Sequence, residues 1–243
     1  MDQAPQATQA HGRGVLRACV IIAVVAGAAA LCYFTIDVPA AVWSKVHDHD
    51  IPNLAKSILD GARSFGQVFT IALAVCLVLA LDRKQRRNLI LFVLTMVAVA
   101  IVVNTLKAAG GRIRPYAYIK ALDLAAPTLA FPHEEMWHFL KGFAKARYSS
   151  FPSAHAAAAF AMAAVMTRMY PRATWVFLTT AALCAISRVT DLQHYPSDII
   201  VGGAIGLWLG FGMWRWRWST RIADEFEDIL ARCFRARSQD ADL

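Results

Sequence analysis

Long apolar runs separated by short polar segments dominate the pattern along the 243-residue chain. Most of the runs approach the roughly 20 residues that a helix needs to cross a bilayer. The pattern predicts about six membrane-spanning helices, which cover residues 14–36, 64–81, 88–107, 151–169, 173–190 and 197–214. The predicted fold class is therefore all-α, an integral membrane bundle formed by residues 14–218.

Three segments do not fit the pattern of a membrane span. Residues 1–13 are polar, and we expect them to be disordered. Residues 37–63 mix charged and apolar positions, which indicates a loop and an amphipathic stretch at the membrane interface. In the tail, residues 219–243, apolar side chains recur near one helical face, which predicts a surface-lying amphipathic helix.

The composition supports a membrane protein. Hydrophobic residues make up 58% of the chain and charged residues 17%, whereas soluble domains are nearer half and a quarter. The net charge is +8, but the basic residues cluster beside the apolar runs, as they do in cytoplasmic loops of membrane proteins. We therefore expect the lipid bilayer as a partner, and not nucleic acid.

The basic segments also predict an orientation. They fall on a single side of the membrane if six spans alternate, and the "DRKQRR" turn at residues 82–87 is the clearest of them. This places both termini in the cytoplasm. Three polar segments, residues 107–116, 149–155 and 187–198, then emerge together on the other side, and they contain the candidate functional residues.

The first of these segments, "KAAGGRIRPY", is rich in cations. Lys107, Arg112 and Arg114 lie within eight residues of one another. A basic membrane boundary is one explanation, although basic clusters are uncommon on the non-cytoplasmic side. The other is an anion site, because arginine offers a planar fork of donors and lysine a point charge.

The second segment begins a helix. Ser149 or Ser150 can cap it, and Pro152 suits its first turn. A helix N-terminus carries unpaired N–H groups and a positive dipole end, which suit an anion. His155 falls in that first turn, either as a structural histidine near the membrane surface or as a proton-transfer group.

The third segment, "SRVTDLQHYPSD", combines a cation with a histidine and a carboxylate. Arg188 closes a predicted span, where a charge is costly without a partner or a role. Because Pro196 lies between His194 and Asp198, we expect Asp198 to begin the next span and fold back toward His194. A carboxylate on one imidazole nitrogen leaves the other free to attack, although a purely structural pair is the alternative.

No metal site is predicted. The stretch "HEEMWH" resembles the zinc motif H-E-x-x-H, but His133 and His138 are five residues apart. They would lie about 140° apart around a helix and not share a face. We expect a solvated loop there and at His47 and His49.

Taken together, the three segments resemble the signature of the type 2 phosphatidic acid phosphatase superfamily, K-x6-RP, PSGH and SR-x5-H-x3-D. Three motifs in this order are a more specific signal than any one of them. The one departure is Ala154, where the family pattern has glycine; if that position needed a positive φ, alanine would cost about 1 kcal/mol. The matching positions are Lys107, Arg114, Pro115, Pro152, Ser153, His155, Ser187, Arg188, His194 and Asp198.

The resemblance implies a membrane lipid phosphatase that hydrolyses a phosphate monoester or pyrophosphate without a metal or other cofactor. It implies that His194 is the nucleophile and forms a phosphohistidine, that Asp198 orients it, and that His155 protonates the leaving oxygen. Arg112 lies outside the signature, and we expect no catalytic role for it. The implied phosphate-binding residues are Lys107, Arg114, Ser153, Ala154 and Arg188.

The basic, multi-span architecture suggests a bacterial inner-membrane enzyme whose site faces the periplasm. The candidate substrates are phosphatidic acid, phosphatidylglycerol phosphate, polyprenyl pyrophosphate and lipid A phosphates. Two other functions fit the pattern less well, a lipid-to-lipid phosphotransferase and a small anion or lipid transporter. A transporter would place charges near the bilayer midplane and contain internal repeats, and the sequence has neither feature.

Overall fold

The computed structural model describes residues 4–121, 136–143 and 145–240, and it contains ten α-helices within them. No β-strand occurs in these described ranges, so the all-α fold class is confirmed. Short 3-10 turns join several of the helices. In chain order the helices are α1 (Ala4–Thr35), α2 (Asp37–Val46), α3 (Asn53–Arg63), α4 (Val68–Leu81), α5 (Arg86–Gly110), α6 (Pro115–Ala121), α7 (Ala154–Met169), α8 (Thr174–Thr190), α9 (Pro196–Gly212) and α10 (Arg217–Asp240).

Within the described chain, three stretches of helix are long and apolar enough to cross a membrane alone. They are Leu16–Thr35, Arg87–Gly110 and Pro171–Thr190. A fourth candidate is a broken span in which Asn53–Gly66 meets Val68–Leu81 at an angle of 68°. The structure therefore contains three spans by length and composition, or four if the bent pair is one span.

The two remaining predicted spans correspond to shorter helices. The apolar helix α9 has 17 residues, and α7 has 16. Both fall below the roughly 20 residues that cross a bilayer unaided. Each of the six predicted spans thus coincides with a helix, but α4, α7 and α9 are shorter than the lengths expected from the sequence.

The N-terminal part of the chain differs from the sequence-based expectation. Helix α1 begins at Ala4, so residues 4–13, which we expected to be disordered, are helical. Alanine and glutamine are good helix formers, and Pro5 lies in the first turn, where its missing N–H is not needed. Residues 37–63 form α2 and the amphipathic α3, in agreement with the prediction of an amphipathic stretch.

Helix α7 lies at the centre of the bundle, where it contacts α5, α8 and α9. Six of its ten buried residues are alanine, and the facing stripe on α9 is glycine, at Gly202, Gly206 and Gly210. A Cβ atom at Gly206 would lie 2.2 Å from the carbonyl oxygen of Ala157. The two helices therefore pack almost backbone to backbone, as small residues allow in membrane proteins.

The polar residues described below lie at the two ends of the bundle. One end contains the C-terminal ends of α5 and α8 and the N-terminal ends of α7 and α9. At the other end Arg87 pairs with Asp224 at 2.5 Å, and the Tyr170 hydroxyl donates to Asp82 at 3.4 Å. The three polar segments therefore lie together, while the cytoplasmic location of the opposite, basic end stays a prediction.

Candidate active site

A cavity of about 540 Å³ opens at the end of the bundle where α5, α7 and α8 converge. Six of the eight site residues proposed from the sequence line it, and they comprise three cations, two histidines and the first residue of α7. This concentration of positive charge around imidazoles is suited to an anionic ligand. The six are Lys107, Arg114, Ala154, His155, Arg188 and His194.

A glycine turn brings the first two cations together. Helix α5 ends at Gly110, and Gly111 adopts a left-handed conformation with φ of 62°. A Cβ atom there would lie only 1.8 Å from the carbonyl oxygen of His138, so both conformation and space require glycine. The turn allows Lys107, in the last turn of α5, and Arg114, just beyond it, to line the same cavity.

The two cavity arginines are oriented by neighbouring side chains. Arg114 Nη1 donates to Gln193 Oε1, and Arg188 Nη1 donates to Asp191 Oδ2 at 2.8 Å. Among the described residues, the buried Nε atoms of Arg114 and Arg188 have no hydrogen-bond partner. Burial lowers the pKa of Arg114, because the charged form loses hydration, and an anion in the cavity would offset that loss.

Ser153, and not Ser149 or Ser150, caps α7. Its Oγ accepts from the backbone N–H of Ala156 at 3.4 Å. Ser153 is fully buried and does not line the cavity, so its position does not support the phosphate contact expected of its hydroxyl. The other two serines serve the site differently, because the Ser149 carbonyl accepts from Lys107 Nζ at 2.7 Å and Ser150 contacts Asp198.

Alanine at the glycine position of the second motif is not strained. Ala154 is the first residue of α7 and has an ordinary helical backbone. In the described chain, the non-glycine residues with positive φ are Leu140, which lies outside the motifs, and Leu192, which is at a variable position of the third motif. The substitution therefore preserves the helix end that presents His155 to the cavity.

A backbone carbonyl and a more distant carboxylate hold His194. Its Nδ1 lies 2.7 Å from the carbonyl oxygen of Ser150 and 3.8 Å from Asp198 Oδ2. The direct Asp198–His194 hydrogen bond expected from the sequence is therefore too long, and the Ser150 carbonyl takes its place. Burial lowers the pKa of His194 to about 4, which favours the neutral imidazole.

Asp198 is fully buried behind His194 and does not line the cavity. Its Oδ2 accepts from Ser150 Oγ at 2.6 Å and from the backbone N–H of Tyr195 at 2.9 Å. Its Oδ1 accepts from Arg112 Nη1 at 2.5 Å. The carboxylate folds back toward His194 as expected, and three donors fix its orientation.

The sequence interpretation missed two buried residues, Arg112 and Asp37. Arg112 is 1% exposed and lies between the carboxylates of Asp37 and Asp198. The sequence contained one signal for each residue. Arg112 belongs to the basic segment, and Asp37 directly follows an apolar run. The partner of Asp37 is 75 residues away, however, and no local pattern predicts such a pair.

A second, apolar cavity of about 630 Å³ adjoins the first. Asn104, Ala154 and His155 line both cavities. The rest of its wall comes mainly from apolar residues of α4, α5 and α7, among them Ile71 and Val99. A polar cavity beside an apolar one can accommodate a molecule with a charged head and a hydrophobic chain.

The histidine-containing stretches that resemble metal motifs do not form a metal-binding cluster in the described ranges. No group of three His, Cys, Asp or Glu side chains there could hold a metal ion. His138 packs edge-on against Tyr148, with ring centroids 4.7 Å apart. Residues 133–135 of the zinc-like stretch lie outside the described residues.

Residues 88–222, more than half of the chain, match the model of the PAP2 superfamily. This range contains all three motifs and all six predicted residues that line the polar cavity. The chain belongs to the PAP2 superfamily.

Two curated relatives are similar over the same length of chain. Both are lipid A 1-phosphatases, from Rhizobium etli and Rhizobium johnstonii, and each is 32% identical over 114 residues. These matches cover 47% of this chain and 44% and 41% of the relatives. The chain thus spans less than half the length of the curated relatives it matches.

A solved structure shares the fold. It is a transmembrane PAP2-type phosphatidylglycerolphosphate phosphatase from Bacillus subtilis, with a TM-score of 0.50 and 15% sequence identity. The match covers 85% of this chain and 95% of that one. It supports the assignment of the helical bundle as an integral membrane fold.

Proposed function

We propose that this protein is an integral membrane lipid phosphatase that works through a phosphohistidine intermediate. The observation that carries the proposal is the junction of the two cavities at His155. The polar cavity holds three cations and two histidines, and the apolar cavity can take a hydrocarbon chain. A lipid phosphate has both of these chemical parts.

The first step is attack on phosphorus by Nε2 of His194. The Nδ1–H of His194 donates a hydrogen bond to the Ser150 carbonyl, so Nε2 carries the lone pair. A nitrogen–phosphorus bond forms while the phosphorus–oxygen bond to the lipid breaks, and protonated His155 gives its proton to the leaving oxygen. The negative charge of Asp198 favours the positive imidazole ring of the intermediate.

The second step releases phosphate. Water attacks the phosphohistidine, His155 takes a proton from that water, and the nitrogen–phosphorus bond breaks. This regenerates neutral His194 and the protonated His155 of the first step, a charge that the negative phosphate of the next bound lipid favours. Lys107, Arg114 and Arg188 neutralise the phosphoryl oxygens in both steps, since phosphoryl transfer depends mainly on positioning and charge stabilisation.

Among the candidate lipids, lipid A carrying a 1-phosphate is the first choice. The names of the two Rhizobium relatives favour it over phosphatidic acid, phosphatidylglycerol phosphate and polyprenyl pyrophosphate. We further propose that the enzyme lies in the bacterial inner membrane with its site facing the periplasm. The basic residues at the opposite end of the bundle favour this orientation.

The test is a substrate panel. Purified full-length protein is incubated with each of the four lipids in EDTA, and inorganic phosphate is measured. We expect release from at least one lipid, fastest with lipid A, and no release by His194→Ala. Unchanged turnover by that variant would exclude the mechanism, and phosphate found on an acceptor lipid would instead identify a phosphotransferase.

A further inference from the structure

Arg112 is the largest fully buried side chain in the described ranges, and its guanidinium donates to oxygen atoms of three other side chains. Its Nη1 donates to Asp198 Oδ1 at 2.5 Å and to Ser197 Oγ at 2.8 Å, and its Nη2 donates to Asp37 Oδ2 at 2.7 Å. The guanidinium carbon lies 4.2 Å from the ring centroid of Tyr195. One arginine therefore bridges two buried carboxylates, using the planar fork that lysine lacks.

Asp37 connects the second helix to the start of the ninth. It is the first residue of α2 and is fully buried. Its Oδ1 accepts from the backbone N–H of Ser197 at 2.9 Å, and its Oδ2 accepts from the Ser197 hydroxyl. The carboxylate thus holds both Arg112 and the first turn of α9, which begins two residues after His194.

We propose, on the basis of the proposed function, that Arg112 and Asp37 are positioning residues for the phosphatase reaction. Arg112 holds the carboxylate of Asp198 behind the nucleophilic His194, and Asp37 holds Arg112. Neither residue lines the polar cavity, so both act through Asp198 and not on the substrate.

The geometry explains why Asp198 needs this support. Arg112 occupies Oδ1, so Oδ2 is the oxygen that faces Ser150 Oγ and His194 Nδ1. Without the guanidinium, the carboxylates of Asp37 and Asp198 would share a buried site with no full positive charge between them. One would take up a proton or move, and Asp198 would no longer hold its negative charge in place behind His194.

A purely structural clamp between α2 and α9 would have different consequences. It would affect the yield and thermal stability of the protein, but not the turnover of the molecules that fold. A positioning role would lower kcat in the folded fraction and leave KM nearly unchanged, because the phosphate-binding cations are untouched. These two readouts separate the roles.

The experiment uses Asp37→Asn, Arg112→Gln and the double variant in the full chain. Monodisperse protein from size-exclusion chromatography is assayed for kcat and KM with the lipid that the wild type hydrolyses. We expect each single variant to lose about 100-fold in kcat, the size of effect that a small misplacement causes. The double variant should lose much less than the product of the two single losses, since both residues act through Asp198.

Two further variants keep the test decisive. Arg112→Lys should recover part of the lost kcat, because it restores a positive charge without the two-sided contact. The exposed Arg87–Asp224 pair is the matched control, and Arg87→Gln with Asp224→Asn should match the wild type. If Arg112→Gln yields no folded protein, Asp37→Asn and Arg112→Lys carry the test.

Three results would overturn the inference. The first is a wild-type kcat in folded Asp37→Asn, and the second is a loss of kcat in the double variant that equals the product of the two single losses. The third is a change confined to KM. A wild type that releases phosphate while the variants match it would reject this inference alone. A wild type that releases none from any lipid would reject the proposed function itself.

Discussion

The Nδ1 atom of His194 lies 2.7 Å from the backbone carbonyl oxygen of Ser150. A carbonyl can only accept a hydrogen bond, so this contact selects the tautomer with the proton on Nδ1. Because the acceptor belongs to the main chain, no single side-chain substitution removes it. The tautomer of the proposed nucleophile is therefore set by the path of the loop before α7.

Acidification should destabilise the fold through His194. Burial lowers the pKa of its imidazole to about 4 in the folded protein, whereas an unfolded histidine has a pKa near 6.5. Between these values the unfolded chain binds more protons at this residue, so stability falls as pH falls from about 6.5 to 4. The thermal midpoint of detergent-solubilised wild type should therefore drop at pH 4.5.

The variant His194→Asn isolates this effect, because its amide can reach the Ser150 carbonyl but does not titrate. The wild-type midpoint minus the variant midpoint should be smaller at pH 4.5 than at pH 7.5. A difference that is constant, or larger in acid, would contradict the lowered pKa.

Removing the proposed proton donor should have a substrate-dependent effect. We expect His155→Ala to lower kcat on a lipid phosphate by about 10² to 10⁴-fold, the usual contribution of general acid–base catalysis. An aryl phosphate has a leaving oxygen that needs no proton. With that substrate, His155→Ala should slow phosphohistidine formation much less. Trapping of labelled phosphoenzyme after rapid mixing measures that step, and equal losses for both substrates would refute the assigned role.

Most of the site could be predicted from the three motifs, because their residues lie at helix ends. Lys107, Arg114, Arg188 and His194 line one cavity, and hydropathy with alternating spans already placed their segments on one side. The spans and their order are enough to place these segments together. The distances between side chains are not required.

What the sequence could not predict depends on tertiary contacts. Ser149, Ser150 and Ser153 are all good capping residues, and the path of the loop decides that Ser153 caps α7. The role of Asp37 depends on Ser197, 160 residues away, and on Arg112. The lengths of α7 and α9 also deviated, because helices packed inside a bundle need not match the bilayer alone.

Narrowing the apolar cavity should impair lipid substrates selectively. Ala100 lines that cavity from α5 and is exposed, so Ala100→Trp can be accommodated without disturbing the core. We expect kcat/KM for the lipid to fall by about tenfold or more, while hydrolysis of a small water-soluble phosphate ester is unchanged. Phosphate release from the two substrates is compared side by side.

The neighbouring Ile101→Trp is the control for this experiment. Ile101 is 63% exposed on the same helix and does not line the cavity. It should behave as the wild type with both substrates. Equal losses in the two variants would point to a general effect of bulk on α5, and the apolar cavity would lose its assigned role.

The proposed orientation can be tested by thiol labelling of intact cells. Lys84 lies in the basic turn, Lys145 lies in the loop before α7, and both are exposed. A membrane-impermeant maleimide should label Lys145→Cys from outside, and Lys84→Cys only after permeabilisation, with the parent protein as background. The opposite pattern would invert the bundle in the membrane.

The glycine stripe on α9 has a consequence for how such a site can change over time. Through Gly202 and Gly206, the helix that follows His194 lies directly on the helix that begins beside His155. The spacing between the proposed nucleophile and the proposed acid is therefore a property of the bundle core and not of the surrounding loops. Loops and groove walls can diverge to accept new lipids while the reaction centre keeps its shape, so substrate choice and chemistry can evolve separately.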